Sequence, residues 1–517
     1  MSFALSAWLW GPALLILAVL LVNAISFPQN AARLRLPPGP KCLPLIGNAL
    51  DVPRDDLGRK WSAISKKYGD VVYLNVLGQP IVALGSLKAA TDLLDKRSAN
   101  YSDRPTSIMA ELVGYTDWLF VLMGYGPEWR HHRRMFHQVM NIDIIKGYQA
   151  TQINVVRNLL RHIRQAPQGL GQHLEFAFAA IVMRVIYGVE LTEASDKYFK
   201  MVKLLSDVGE DIAVPGRYLV EAIPWLRFLP SWFPGVKFKK FAADANRDMG
   251  AMVEDLFANA RIAMNSGDTK DSAATRLLAD IPSDDTQAEE MYQRCKGVMA
   301  TTYAAGADTT NAAMRAFCLA MALYPDAQSK AQAEIDAVVG TGRPPEFCDR
   351  PSLPYINALL KEVLRWHIVT PIAVPHRTVA DDIYDGYLIP GGATVIANSW
   401  AMSRDPTVFP DPDEFKPERF LDENGRFDCE GKDPADFVFG FGRRICPGRE
   451  FADTTLFIFC ASVLWAFNIK PPVDERGLPR EINRKINTHG VVAHVEGSDY
   501  TIEVRSPNVD RLILETF

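Results

Sequence analysis

Cysteine is scarce in this chain. Its seven cysteines, at 42, 295, 318, 348, 429, 446 and 460, are odd in number and scattered without paired spacing. That excludes a disulfide framework and fits a reducing compartment. An excess of one charge is missing too: 56 Lys and Arg stand against 61 Asp and Glu, a net charge of −5. Such a balance gives no grip on a polyanion and argues against a nucleic-acid role. There is no internal repeat, no low-complexity tract and no flavin or nicotinamide motif. With 48% hydrophobic residues over 517 positions, a disordered chain is excluded and a large core is expected.

Charge is absent altogether from Met1 to Arg33, and Phe3 to Phe27 is almost entirely apolar, with Trp8 and Trp10 near its start. A run of that length spans a bilayer as a helix. It lacks the basic start, the short apolar core and the small-residue cleavage site of a removed signal. Arg33, Arg35 and Lys41 follow it directly, which leaves residues 31 onward in the cytosol and the Asn100-Tyr101-Ser102 sequon unglycosylated. Leu36-Pro37-Pro38-Gly39-Pro40, with Pro44 and Gly47 after it, is a stiff extended linker. The expected organisation is an anchor over 1–28, a basic and proline-rich linker over 29–48, and a catalytic domain over 49–517.

Residues 70 to 84 read as two short strands around Gly78-Gln79-Pro80. Helical periodicity follows near 88–97, 127–139, 144–164, 173–187, 196–210 and 236–265. Short strands return near 372–397, broken at Asp385-Gly386 and Pro390-Gly391-Gly392. From about 286 to 324 there is no proline, so a helix of roughly 60 Å is possible before Pro325 closes it. The fold class is mainly α: a helix-rich single domain with a minor β-sheet region, preceded by a transmembrane helix.

Phe439-Gly440-Phe441-Gly442-Arg443-Arg444-Ile445-Cys446-Pro447-Gly448 combines a Gly-rich turn, a cysteine and a Pro-Gly step into the apolar helical run from Arg449. Cys446 would sit just before a helix N-terminus, where unpaired N–H groups and the helix dipole favour a thiolate. Glycines at 440 and 442 let the loop lie against a large flat ligand, and Arg444 suits an anionic group on it. Taken alone, Cys446 also reads as a buried apolar cysteine.

Four further groupings share the chain with that loop. Trp129 and Arg133, in Trp129-Arg130-His131-His132-Arg133-Arg134, share a helix face, while Arg130 and Arg134 read equally as a solvated face or a docking patch for an acidic partner. Ala304-Ala305-Gly306-Ala307-Asp308-Thr309-Thr310 lies within the long helix, where Thr309 can bond back to the carbonyl of residue 305 and make a place for water. Glu362 and Arg365 are three apart on one helix face, and Arg419 arrives from Phe415-Lys416-Pro417-Glu418-Arg419-Phe420. His376 and Arg377 begin the returning strands.

In this order, from the proline-rich hinge to the Cys446 loop, the landmarks resemble the cytochromes P450, and across nearly the whole chain the pattern resembles their microsomal, membrane-anchored type. The style of the hinge, of Ile389-Pro390-Gly391-Gly392 and of the cysteine loop is similar to the fungal secondary-metabolism branch. The resemblance implies haem, iron protoporphyrin IX, with Cys446 as its thiolate ligand. Phe439, Gly440, Arg444 and Gly448 would shape the loop around it. Trp129, Arg133 and His376, in preference to Arg377, would meet its propionates. Ala305 and Gly306 would leave room over its face. Asp308 and Thr309 would relay protons in oxygen activation. Glu362, Arg365 and Arg419 would form a structural lock.

The activity implied is monooxygenation of a hydrophobic small molecule in secondary metabolism or xenobiotic oxidation. O2 is the oxidant, and electrons come from NADPH through NADPH–cytochrome P450 reductase, with cytochrome b5 as a second possible donor. The location implied is the endoplasmic reticulum membrane, single-pass, with the catalytic domain cytosolic. Two alternatives stand beside it: a haem-thiolate isomerase or peroxygenase, against which the Asp308-Thr309 pair argues, and a non-catalytic haem protein binding a ligand. By family position, substrate contacts fall in 105–121, in 208–233, at Val298, Thr302 and Ala305, in 369–373 and in 488–491. Leu112, Trp118, Phe120, Val298, Ile372 and Val491 there favour an apolar ligand.

Overall fold

The computed structural model describes residues 35–192, 197–233, 235–265, 271–282, 285–488, 490–497 and 499–515. The anchor expected over 1–28 and the first part of the linker lie outside them. The chain forms two compact units, one built from residues up to Thr106 with Ile372–Met402 and Phe441–Arg444, the other from Ser107–Pro371, Ser403–Gly440 and Ile445–Phe517.

The first unit is organised by a four-stranded sheet in the order Val71–Val76, Gln79–Leu84, Thr394–Ala397, His376–Arg377. The first pair is an antiparallel hairpin turning at Leu77-Gly78, both at positive φ. The third strand joins it in parallel, and His376 pairs opposite Val395 at the far edge. One face buries Val72, Leu74, Ala83 and Ile396 against Leu57 and Trp61 of the helix Leu57–Tyr68. Leu57 and Trp61 lie one turn apart on the buried stripe of that helix, which the periodicity reading did not mark.

The second unit is helical around an extensive apolar core. Pro127–Met140 starts with proline at its first turn, where no N–H partner is needed. Ile142–Gln165 is capped by Asn141, whose side-chain oxygen accepts from the N–H of Asp143 at 3.1 Å and of Ile144 at 3.2 Å. The long helix runs Asp285–Leu323, 39 residues, and packs along Leu170–Tyr187 and against Pro127–Met140 and Arg449–Ala466. Pro325 ends it and also opens a helix the sequence reading did not anticipate, Pro325–Val338. Glu334 of that helix caps the next, Pro354–Trp366, accepting from the N–H of Tyr355 and of Ile356 at 2.8 and 3.0 Å.

Among the described residues one helix is long and apolar enough to cross a membrane, Pro167–Tyr187, and 67% of its apolar window is buried. Its leucines, valines and isoleucines belong to the core of the second unit.

Candidate functional site

Within the second unit the cysteine loop is closed by its own backbone: the N–H of Cys446 donates to Phe439 O at 2.7 Å. The helix Arg449–Ala466 begins three residues later, with Gly448 at its N-cap. Dry surroundings push the Cys446 thiol up, while the N–H groups of Gly448 and Arg449 and the charges of Arg133 and Arg449 pull the other way. Every group that opposes burial here stabilises a thiolate, and coordination to a metal would remove the proton outright. The residue as a whole is of intermediate exposure. Cys295, Cys318 and Cys460 are fully buried and pushed up by burial first, without comparable support.

Arg133 is half-buried on Pro127–Met140, and burial pulls its guanidinium down while the Cys446 charge raises it. Trp129, one turn earlier, is 5% exposed and packs its ring on Tyr125 at 5.2 Å. Arg134 is exposed, and Arg130 lies over the Tyr125 ring.

On the long helix, Val298, Thr302, Ala305 and Thr309 share one face, at steps of three and four. Thr309 Oγ1 donates to Ala305 O at 2.8 Å, as its sequence position predicted. Thr302 and Thr310 do the same to Val298 O and Gly306 O. Ala305 is exposed in mid-helix although Tyr303 and Ala307, two residues to either side, are buried. The segment expected to line this face is fastened to it, since Thr301 Oγ1 donates to Trp118 O at 3.0 Å and accepts from Phe120 N–H at 3.2 Å. Glu221 holds its neighbour, taking Ser107 Oγ, Ile108 N–H and Met109 N–H at the start of Ile108–Leu112. Asp308 sits roughly 100° round the helix from Thr309, and its carboxylate is 3.3 Å from His494 Nε2. The two expected relay residues are adjacent in sequence but present different faces.

Glu362 and Arg365 are both fully buried and joined by two hydrogen bonds of 2.7 and 2.8 Å. Arg419 reaches the same carboxylate at 3.3 Å, and the Lys416 N–H reaches it at 2.7 Å. The remaining Arg365 donors go to Ser403 O, Pro412 O and Glu414 O. The three predicted members are together, with a fourth member, a third cation, that the sequence did not reveal. Arg404 is buried, pulled down to about 10 by burial and by Arg365, and spans the carbonyls of Arg365 and Trp366.

The first unit gathers a basic cluster of its own. His376 is 3% exposed with Nδ1 on Tyr101 O at 2.7 Å, whereas Arg377 is partly exposed and pairs with Asp103 at 3.8 Å. His376 is therefore the inward-facing member of the pair. Arg444, 8% exposed, donates from Nε to Ser102 O at 2.7 Å. Arg104, 7% exposed, donates to Val374 O and Pro375 O at 2.8 and 2.7 Å. Burial and the two arginines push His376 down to about 3, and burial with Arg444 pulls Arg104 down to about 9. Arg104 was not marked from sequence: a lone arginine before Pro105 carries no signal until chain folding brings Arg444 beside it. The loop glycines are required here. Gly442 has φ +54°, and a Cβ on it would lie 2.2 Å from Leu94 O; Gly440 has φ +76°.

These features fit the haem that the resemblance implies. Within the second unit, a cysteine supported as a thiolate and a desolvated Arg133 suit a thiolate-ligated iron; within the first, a buried cluster of two guanidiniums and an imidazole suits anionic groups such as propionates.

The sequence profile of the cytochrome P450 family matches residues 37–493. A cytochrome P450 monooxygenase of Coprinopsis cinerea designated COX1 is 38% identical over 490 residues, covering 94% of each chain. A second from that fungus, COX2, is 39% identical over 498 residues, covering 96% of this chain and 94% of its own. The monooxygenase ple1 of Rhodocybe pseudopiperita is 39% identical over 458 residues, covering 88% and 87%. With a family profile over most of its length and relatives of this similarity end to end, the chain belongs to the cytochrome P450 family: it is a haem-thiolate monooxygenase, an oxidoreductase using O2 and NADPH-derived electrons.

Proposed function

We propose that this protein inserts one oxygen atom from O2 into a hydrophobic small molecule of fungal secondary metabolism, with electrons passed from NADPH by a separate reductase. The observation that carries the reading is the Cys446 loop, where a desolvated sulfur has two N–H groups and two guanidiniums arranged for a thiolate. Haem, when bound, supplies the oxygen chemistry, and thiolate ligation favours O–O cleavage.

The chain's own residues have separable tasks. Cys446 would ligate the iron, and the closed backbone from Phe439 to Gly448 holds its sulfur in place. Arg133 and Trp129 would bind propionate, as would His376 and Arg444, with Arg104 added to that group. Ala305 leaves space on its face of the long helix, whereas Gly306, expected to do the same, faces Val182 of Leu170–Tyr187, 3.4 Å from where its Cβ would lie, and so serves close helix packing. Thr309, bonded to Ala305 O, keeps a hydroxyl on that face, and Asp308 would bring protons to it. Val298 and Phe120, buried on and against the same helix, give the substrate region apolar walls that exclude water. Glu362, Arg365 and Arg419 would support the fold rather than the chemistry. Residues 1–28 would anchor the protein in the endoplasmic reticulum membrane, residues 29–48 would be the linker, and 49–517 the cytosolic catalytic domain.

The test is a carbon monoxide difference spectrum of the dithionite-reduced protein in microsomes, followed by a substrate screen with NADPH and reductase. The red-shifted Soret band of thiolate ligation is expected, and Cys446→Ser should abolish it while the other six cysteines remain. A red-shifted band that survives this substitution would remove Cys446 as the ligand.

A further inference from the structure

The long helix has a second polar feature away from its Ala305/Thr309 face. A cavity of about 220 Å³ is lined by Asp308, Asn311 and Arg315 of that helix, by Lys203, Asp207 and Glu210 of Lys197–Ala213, and by His494. Glu175 of Leu170–Tyr187 completes its charged wall. His494 lies on the two-residue strand of a C-terminal hairpin, paired with Ile486-Asn487. Its Nε2 is 3.2 Å from Glu210 and 3.3 Å from Asp308, so one N–H is shared by carboxylates of two helices. The hairpin backbone is pressed onto the same place, since a Cβ on Gly490 would lie 3.0 Å from Glu210 Cγ. All three side chains keep some exposure, with 21%, 37% and 18% of their surface accessible. A purely structural ion pair would not need to open on a charged cavity.

We propose that His494 and Glu210 form the entrance of a proton route that reaches Thr309 through Asp308. In each passage the His494 Nε2–H bond breaks as an O–H bond forms on Asp308, whose neutral carboxyl then turns about its side-chain bonds, gives that proton up on the Thr309 side and is a carboxylate again. A proton taken up by Glu210 from cavity water then returns to Nε2, restoring the imidazolium. His494 acts through Asp308 and is a positioning residue; the inference rests on the relay reading of Asp308 made above.

The surrounding charges set the pH at which this works. Burial alone would lower His494, but its hydrogen bonds to Asp308 and Glu210 outweigh that and push it up to about 9. Lys203 and Arg315, and against them Glu175 and Asp207, line the same cavity, two charges of each sign. His367, whose Nε2 meets Ala493 O, is pushed down to about 4 by burial and faces His494 as a neutral ring. The imidazolium is thus present at neutral pH and is lost as pH rises through about 9.

The experiment uses the holoenzyme reconstituted with reductase and NADPH, without added substrate. The ratio of hydrogen peroxide to water formed is measured from neutral pH to beyond 9, because failed proton delivery releases peroxide. The wild type should show a ratio that climbs as pH passes about 9. His494→Gln should raise it at least about tenfold at neutral pH and flatten the profile. Glu210→Gln should move the limb to lower pH by removing one carboxylate, and it carries the test if the His494 variant does not load haem. Thermal melts give a readout independent of turnover. With a folded value near 9 and an ordinary value of 6.5, His494 contributes stability that is complete below 6.5 and lost through 9, a slope the His494 variant should lack. An unchanged ratio and limb in His494→Gln, with a raised ratio in Asp308→Asn, overturns the entrance but leaves the relay. An unchanged ratio in Asp308→Asn overturns both.

Discussion

Glu362 and Arg365 have no exposed surface at all, and the carboxylate between Arg365 and Arg419 also takes the Lys416 N–H. Removing the negative charge strands a guanidinium whose other donors are fixed on carbonyls. Glu362→Gln should therefore cost about 3–5 kcal/mol, read as a lower urea midpoint and reduced haem content. Arg419→Ala should cost less, because its bond is longer and Arg365 still neutralises Glu362. Equal midpoints for Glu362→Gln and the wild type would dismiss the lock. A second residue-scale effect concerns acid. His367 is held near 4 by burial, below the ordinary 6.5, so between those values the unfolded chain binds a proton that the folded one refuses. Its contribution is complete above 6.5 and is lost as pH falls toward 4, by at most about 3 kcal/mol. Melts across that window should be shallower in His367→Gln; the same slope in both proteins would assign the acid loss elsewhere.

At the scale of elements the cysteine loop makes the sharpest demand on backbone. Gly442→Ala would place a methyl 2.2 Å from Leu94 O at φ +54°, where no flexible side chain can give way. At least about 1–3 kcal/mol of strain should appear as a lower melting temperature and faster haem loss. Gly425→Ala, also at positive φ but with nothing within reach of its Cβ, should lose stability without losing haem faster. How much of this was legible in sequence follows from what each element depends on. The long helix, the paired strands at 71–84 and the Cys446 loop rest on local periodicity, proline absence and glycine spacing, all visible along the chain. Pro325 was read only as a stop, because the same residue that ends one helix is also suited to begin the next. The hairpin carrying His494 has strands of two residues, too short for alternation to show. Arg104, Arg404 and His494 gain their meaning only when distant segments meet, and no spacing rule could have joined them to Arg444, Arg365 or Asp308.

For the whole molecule the proposal to test is that residues 1–28 anchor it in a membrane. The described residues build their cores from Leu57 onward, so a variant beginning at residue 29 should still fold, load haem and give the carbon monoxide spectrum of the full chain. Its attachment should differ. An uncharged apolar run such as Phe3–Phe27 is long enough to span the hydrocarbon layer and to require detergent for release. The second unit also exposes a run of large apolar side chains, with Leu219 at 67%, Trp225 at 51%, Phe228 at 79% and Trp232 at 80% of their surface accessible. A patch of that kind, lying at an interface rather than crossing it, gives binding that is reversible. The shortened protein should therefore pellet with microsomes at low salt and be freed by an alkaline wash, while the full chain stays until detergent is added. If the shortened protein also needs detergent, the anchor assigned to residues 1–28 is not what holds the enzyme. If the full chain washes off, the run from Phe3 to Phe27 does not span the bilayer.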